Sequence, residues 1–210
     1  MSDLIGTLAK MGFTQGAVVE TILVTVNSDG SFNAAPMGVR LMGRHLGLSP
    51  YRTSATYANL MRGGRASINT TLDPLLFLAT AFKDEIEDQP HVEPDMRLMG
   101  ADSTIIVEVK QESSTLGERG LFTATPVKIT VGEAYPTVFS RGRNQAVEAV
   151  IHATRVKAFS EQGRRGEAEA LIRKIDECTA TVRRVSPQGS PEHAVVDKLE
   201  DMIPSWRVTA

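Results

Sequence analysis

The sequence predicts an α+β protein, mainly β with α, in which a β-rich domain (residues 1–135) precedes a helical part (residues 136–210). Three observations lead to this prediction. Strand-like apolar segments that end in turn residues recur in the first part. Apolar residues recur at helical spacing in the second part. A chain of 210 residues, 41% of them hydrophobic, is long enough for one large domain with an appendage, so we expect the helical part to pack on the β-rich domain.

The first two predicted strands form a hairpin. Residues 16–26 are rich in β-branched side chains and end at residues 27–30 (Asn-Ser-Asp-Gly), a sequence typical of a hairpin turn. The returning strand contains residues 33–38 (Asn-Ala-Ala-Pro-Met-Gly), whose small side chains leave the backbone accessible. Pro36 cannot donate to a ladder, which indicates a strand edge or a bulge. A flat ligand and a close-packed barrel corner explain this segment equally well.

A basic, hydroxyl-rich turn at residues 49–54 leads into a short helix that residues 63–64 (Gly-Gly) close. Thr53 or Ser54 is a suitable N-cap, and the first-turn amides of such a helix have no partner within the helix. The helix dipole and Arg52 add positive charge, so the turn is a candidate phosphate site. Plain helix capping explains the same residues, and the residues alone favour it.

The middle of the chain predicts further strands and a loop. Residues 65–71 read as a strand, and the Asp-Pro pair at 73–74 breaks the ladder or makes a turn before a second apolar run, residues 75–78, which also reads as a strand. A strand pair is predicted at residues 103–110 and 121–131. The acidic, proline-containing residues 83–94 predict a mobile surface loop and a candidate lid. His91, Glu93 and Asp95 alternate along this loop, which fixes no coordination geometry, so we predict no metal site.

The C-terminal part predicts three helices. Apolar residues recur at helical spacing in residues 143–160 and again in residues 171–182, where Cys178 reads as a small core residue. A third helix begins at Ser190-Pro191, and we expect Pro204 to end it. Glu148, His152 and Arg155 lie on another face of the first of these helices. An ion-paired stripe at the surface or at a subunit contact is favoured there over a ligand pair or an acid–base pair.

Composition and missing motifs exclude several classes of protein. A net charge of −2 and the lack of a basic block give no reason to expect nucleic acid as a partner, and no apolar run is long enough to span a membrane. The single cysteine excludes a disulfide framework and suits the cytoplasm. The sequence has no GxSxG, GxxxxGK[ST], GxGxxG or HExxH motif. An anion site without an obvious nucleophile is what we expect where a bound cofactor carries the chemistry.

Several segments together resemble an uncharacterised family within the FMN-binding split β-barrel superfamily: residues 20–30, 33–39, 52–60 and 69–77. Residues 143–155, which include Ala-Val-Ile-His-Ala-Thr-Arg at 149–155, resemble the helical C-terminal part of the same family. The resemblance covers most of the chain, in the same order. Members occur in methanogenic archaea and in bacteria with tetrahydromethanopterin-linked one-carbon metabolism.

The resemblance implies a split β-barrel and a homodimer that holds FMN at or near the subunit interface. In this superfamily the strand matching residues 33–39 lies against the isoalloxazine ring, and the segments matching residues 52–56 and 69–71 hold the ribityl chain and the phosphate. The implied FMN-binding residues are Asn33, Ala35, Pro36, Met37, Gly38, Arg52, Thr53, Ser54, Thr56, Asn69 and Thr71. With the resemblance included, phosphate binding outweighs plain capping for residues 52–56.

We therefore predict a cytoplasmic FMN-binding protein that works as a flavin-dependent oxidoreductase on an unknown small-molecule substrate, with a link to tetrahydromethanopterin one-carbon metabolism. One alternative is a non-catalytic flavin or pterin binder, such as a carrier, a sensor or an assembly factor. Another is a dimerisation module with a vestigial site. No catalytic side chain is assigned. His45, His91 and His152 are the side chains to test as proton donors, and each also fits a surface or packing role.

Overall fold

The structure, a computed structural model, describes residues 3–87, 89–132 and 140–208, apart from the side chains of residues 113–116 and 207–208. The chain divides into two compact units. The barrel unit contains residues 1–71 and 90–134, and the helical unit contains residues 72–89 and 135–210. Residues 72–89 therefore group with the C-terminal helices. The predicted boundary at residue 135 lies outside the described residues.

The barrel unit is built from six antiparallel strands that close in the order β1-β2-β3-β6-β5-β4. The strands are β1 (Val18–Val26), β2 (Phe32–Met42), β3 (His45–Leu48), β4 (Gly64–Thr70), β5 (Ser103–Leu116) and β6 (Arg119–Val131). Two short helices, α1 (Leu4–Lys10) and α2 (Ala55–Met61), belong to the same unit. The strands predicted within this unit are confirmed, whereas β3 and α1 were not predicted.

The strands close because each gives one apolar face to a common core. In β6, more and less buried residues alternate from Arg119 to Pro126, which is the period of a strand with one face on a core. Every strand and both helices contribute to this core, for example with Leu8, Leu23, Val39, Leu46, Leu60, Ile68, Val107 and Phe122. The predicted β1–β2 hairpin is confirmed, with Gly30 in the left-handed region at φ 86°.

Residues 35–38 of β2 pair with a neighbouring strand on one edge only. The strand pairs with β1 from Val18↔Arg40 to Val26↔Phe32, but its ladder with β3 begins only at Val39. Within the described part of the chain, no strand pairs with the other edge of residues 35–38. The strand edge predicted from Pro36 is therefore confirmed.

The helical unit contains four helices: α3 (Pro74–Ala81), α4 (Arg141–Glu161), α5 (Arg165–Val185) and α6 (Pro191–Val208). The helix α4 packs on the other three. The Phe82 ring, just after α3, stacks on the Trp206 ring of α6 at a centroid distance of 5.3 Å. Among the described residues, no helix is long and apolar enough to cross a membrane.

Two sequence predictions in this unit are wrong. The apolar run after Asp73 is helical, because Asp73 Oδ1 accepts the Leu75 N–H at 2.9 Å and Pro74 takes the first helical position, where its missing N–H costs nothing. Pro204 does not end α6, which continues to Val208. Trp206, beyond the proline, is 6% exposed, so burial of its ring offsets the lost backbone hydrogen bond.

Candidate functional site

The loop before α2, residues 49–54, is attached to the tip of the β5–β6 hairpin. The Arg52 N–H donates to Glu118 O at 2.9 Å, and the Gly120 N–H donates to Pro50 O at 3.0 Å. These two hydrogen bonds fix the backbone on both sides of residue 51. Arg52 itself stays exposed, so its guanidinium projects from a backbone that the hairpin holds in place.

Arg119 adds a side-chain attachment to the same loop. Its Nη1 donates to Ser49 O at 2.7 Å. Its guanidinium carbon lies 3.9 Å from the centre of the Tyr51 ring, within the range of a cation–π interaction. Arg119 therefore holds residues 49–51 by a charge-assisted hydrogen bond and an aromatic contact. Arg119 was not predicted as a site residue, because Ser49, its hydrogen-bond partner, lies about seventy residues away in sequence.

Ser54 is the N-cap of α2, as predicted. Its Oγ accepts the Tyr57 N–H at 3.1 Å and donates to Tyr51 O at 2.7 Å. The Tyr57 ring meets Phe122 edge-on, with centroids 5.7 Å apart. A Cβ at position 120 would lie 2.3 Å from the Tyr57 ring, so only glycine fits there. The start of α2 is thus fixed by its own cap and by the hairpin.

A buried polar network joins α2 to the first two strands. Thr56 is 4% exposed, and its Oγ1 accepts from Asn33 Nδ2 at 3.1 Å. The hydroxyl of Thr25 accepts from Asn33 Nδ2 at 3.3 Å and from Asn59 Nδ2 at 2.9 Å. Two of the predicted site residues, Asn33 and Thr56, are therefore in direct contact. Thr25 and Asn59 were missed, because nothing in their local sequence indicates this partnership.

The predicted ring-binding residues of β2 lie on both faces of the barrel wall. Successive strand residues alternate between faces, and Val39 belongs to the core. The inner face therefore contains Asn33, Ala35 and Met37, and the outer face contains Pro36 and Gly38. A single ligand can therefore contact residues of both faces only at the backbone edge of residues 35–38, which has no strand partner.

Asn69 has a structural role in this conformation. It is fully buried on β4, across β1 from Pro36, since Ile22 pairs with both residues. Its Oδ1 accepts from the Leu98 N–H at 3.2 Å and from Thr104 Oγ1 at 2.8 Å. Its Nδ2 donates to Ser67 Oγ at 2.9 Å and to Ile22 O at 3.4 Å. These bonds hold the segment around residue 98 against β4. Thr71, at the end of the same strand, is 6% exposed. For both residues a contact with the cofactor stays a prediction.

The predicted metal candidates His91 and Asp95 are exposed, and Glu93 is half-buried. His91 Nε2 is 3.6 Å from Glu93 Oε1, and the His91 side chain is 70% exposed. Among the described residues, no group of three or more His, Cys, Asp or Glu side chains is placed to hold a metal ion.

His152 is a buried histidine on α4, in the helical unit. Its Nε2 is 3.3 Å from Glu148 Oε1, and its buried Nδ1 has no hydrogen-bond partner within the described structure. Burial lowers the pKa of His152; the Glu148 charge opposes this shift, and Lys174 and Arg155 reinforce it. Burial also raises the pKa of the Cys178 thiol, helped by Glu148 and by Glu177. Cys178 is therefore a protonated core thiol, in agreement with the sequence prediction.

Comparison with known families decides the affiliation. The N-terminal domain of a family described as protein of unknown function (DUF447) matches residues 19–133, more than half of the chain. This chain belongs to the DUF447 family. The predicted resemblance to an uncharacterised family is thereby confirmed.

Solved structures agree with the fold of this DUF447 protein. The crystal structure of an FMN-bound DUF447 protein from Methanosarcina mazei superposes with a TM-score of 0.72 at 22% identity, covering 92% of this chain and 98% of that one. The predicted α+β split barrel with a helical C-terminal part is therefore confirmed. A 2-nitrobenzoate 2-nitroreductase from Pseudomonas fluorescens matches with a TM-score of 0.46 at 13% identity, over 63% of this chain and 74% of that chain. An FMN-binding protein from Thermus thermophilus matches with a TM-score of 0.44 at 17% identity, over 59% and 77%. These two likenesses are too distant to support an argument.

Proposed function

We propose that this DUF447 protein binds FMN in the barrel unit and works as a flavin-dependent oxidoreductase. The observation that carries the proposal is the juxtaposition of a fixed cationic loop, residues 52–56, with the edge of β2 that lacks a strand partner. Contact between Asn33 and Thr56 brings the two features together. The FMN bound by the Methanosarcina mazei relative supports the same assignment.

The donor set suits a phosphate. Arg52 and Thr53 are both exposed, and the Arg52 backbone is held by the hairpin, so little ordering of the loop backbone is needed to bind. A guanidinium offers two parallel N–H donors to phosphate oxygens. The Thr56 hydroxyl accepts from Asn33 and can still donate its own proton. Ser54 contributes by fixing the start of α2, since its Oγ already serves as the cap.

The backbone of β2 suits a flat ring. From Asn33 to Gly38 the strand extends about 17 Å, so one extended ligand can contact the loop with one end and the strand edge with the other. Ala35 has a small side chain and Gly38 has none, which allows a close approach to the main chain. When bound, FMN supplies hydride and electron transfer, and the protein binds and orients it.

The finer assignments belong to the same proposal. We infer a cytoplasmic protein from its single cysteine, and the family resemblance favours a homodimer with a small-molecule substrate in tetrahydromethanopterin-linked one-carbon metabolism. A carrier would bind flavin reversibly without turnover. Anaerobic mixing of the FMN-loaded protein with NADH, NADPH and reduced pterins separates the two. Bleaching of the flavin absorbance followed by rapid re-oxidation supports an oxidoreductase, and binding without reduction by any of these donors supports a carrier.

Arg52→Ala tests the phosphate site. Loss of one charge-assisted pair is expected to weaken FMN binding by about 2 kcal/mol, or roughly 30-fold, with little change for riboflavin, which lacks the phosphate. Quenching of flavin fluorescence during titration of the apo protein measures both affinities. The control is Arg44→Ala, which removes an equal charge from the exposed β2–β3 turn. Equal weakening of FMN and riboflavin would contradict the assignment.

A further inference from the structure

A cavity of about 210 Å³ lies at the C-terminal end of α2, in the barrel unit. The helix has seven residues, so this end lies about 10 Å from the Ser54 cap and the proposed phosphate loop. Leu60, Met96 and Val109 give the cavity an apolar wall. The cavity thus lies at the opposite end of α2 from the proposed phosphate site.

The charged residues that line the cavity are both arginines. Arg62 and Arg65 contribute to the lining, and no aspartate or glutamate does so among the described residues. Within the described part of the chain, neither arginine has a carboxylate oxygen within 4.0 Å. The cavity is thus lined by two positive charges without a neutralising partner at that distance.

Arg62 is held in place by neutral acceptors. Its Nη2 donates to Val26 O at 2.6 Å and to Asn59 Oδ1 at 2.7 Å, and its Nη1 donates to Ala58 O at 3.3 Å. Three of the five guanidinium N–H groups are used in this way, and two remain. The result is a positioned positive charge, with little further side-chain entropy to lose when an anion binds.

Arg65 supplies the second charge from the start of β4. It follows two glycines in left-handed conformations, Gly63 at φ 73° and Gly64 at φ 101°. A Cβ at either glycine would meet nothing within 4 Å, so the space beside them is open. Glu108 faces Arg65 across the β4–β5 ladder, yet the two form no ion pair within 4.0 Å. The Arg65 guanidinium remains available to a ligand.

Met96 completes the apolar wall from an unusual backbone conformation. Its φ of 67° is the sole positive value for a non-glycine residue in the described structure. Ser67 Oγ donates to Met96 O at 2.6 Å and holds this turn on the barrel. The side chain is 9% exposed, and its flexible thioether can adapt to the shape of an apolar ligand.

We propose that this cavity binds a small organic monoanion, with a carboxylate at Arg62 and Arg65 and an apolar body of about the size of benzoate against Leu60, Met96 and Val109. The two arginines in the lining favour a carboxylate over a neutral group, and the apolar wall favours an organic anion over an inorganic one. The lining shares no residue with residues 52–56, although Thr25 and Asn59 join it to the polar network of Asn33 and Thr56.

Titration of the full-length protein with benzoate tests the proposal. In ¹H–¹⁵N NMR spectra we expect saturable shifts of the backbone amides of Gly63, Gly64 and Arg65 and of the Asn59 side-chain amide. Arg65→Gln is expected to weaken benzoate binding about tenfold or more, because a charge-assisted pair is lost at an exposed position that the fold does not need. Val26→Phe, at the cavity lining, is expected to abolish binding by filling space while leaving the Val26 carbonyl to Arg62.

Matched ligands and one control variant complete the design. Arg44→Gln, which removes a charge from a remote turn, is expected to leave the benzoate affinity unchanged. Benzamide, the neutral isostere, is expected to bind at least about tenfold more weakly than benzoate. Inorganic phosphate is expected to bind more weakly as well. The proposal is overturned by the absence of saturable benzoate binding, by equal affinity for benzamide or phosphate, or by an unchanged affinity in Arg65→Gln.

Discussion

Arg119→Ala should weaken FMN binding although Arg119 is not a predicted ligand. The substitution removes the hydrogen bond from Nη1 to Ser49 O, at 2.7 Å, and the contact with the Tyr51 ring, at 3.9 Å. It leaves the two backbone hydrogen bonds between the loop and the hairpin intact. The loop that carries Arg52 is then held less firmly, so the orientation of Arg52 is the property under test.

The size of the effect follows from the two lost contacts. A hydrogen bond from a charged donor contributes about 1.5–3 kcal/mol, and an exposed cation–π contact adds about 0.5–1 kcal/mol. The combined loss is about 2–4 kcal/mol of local stability. Because the two backbone hydrogen bonds still favour the ordered loop, we expect part of this loss in binding, about 1.4 kcal/mol or roughly tenfold for FMN. Riboflavin should lose less, since the loop is assigned to the phosphate.

Flavin fluorescence titrations of wild type, Arg119→Ala and Arg119→Lys measure the effect, with thermal unfolding recorded for each variant. Arg119→Lys keeps the charge but not the planar fork, so an intermediate FMN affinity is expected. Arg44→Ala again serves as the charge-matched control. A lower melting temperature with unchanged FMN affinity would refute the reasoning, because Arg119 would then stabilise the fold without positioning the loop.

Two further predictions concern stability. Asn69→Ala should lower the free energy of unfolding by about 3 kcal/mol or more, because the buried Leu98 N–H and Thr104 hydroxyl lose their acceptor. Urea unfolding measures this change. The control is Asn144→Ala at an exposed position, for which a change below about 0.5 kcal/mol is expected. For His152, burial lowers the pKa below its ordinary value of 6.5, so between the folded pKa and 6.5 the unfolded state binds more protons and stability rises with pH. This contribution is present above pH 6.5 and is lost as the pH falls through the folded pKa. Urea unfolding of wild type and both variants between about pH 5 and 7.5 should show that His152→Gln flattens the rise of stability with pH, while His91→Gln retains it. Identical pH dependence in all three proteins would contradict the buried role of His152.

Local sequence signals account for much of the fold. The β1–β2 hairpin, the Ser54 cap, the edge at Pro36 and the helical C-terminal part all follow from turn chemistry, β-branching and helical spacing within short windows. The four-residue strand β3 was missed because it is too short to show a period. The strand predicted after Asp73 is a helix, residues 74–81, because an Asp-Pro pair is compatible both with the end of a strand and with the start of a helix.

The candidate site was less accessible to sequence reasoning, because its supports come from distant parts of the chain. Arg119 lies 70 positions from Ser49, and Asn59 lies 34 positions from Thr25. Nothing local to these residues indicates their partners. The family resemblance supplied the segments that we propose as the FMN site, whereas the cavity beside Arg62 and Arg65 required the folded barrel.

The attachment of residues 49–54 to the hairpin tip also sets an order of events during synthesis. The loop precedes its support by about seventy residues, so a growing chain exposes Arg52 long before Glu118 and Arg119 leave the ribosome. Contacts of such sequence separation form slowly because a long segment must first be closed into a loop. Residues 49–54, the proposed phosphate site, therefore acquire their final shape only after β5 and β6 have paired. A nascent chain that ends before residue 117 lacks the hairpin residues that hold this loop in place. Added flavin cannot replace those residues.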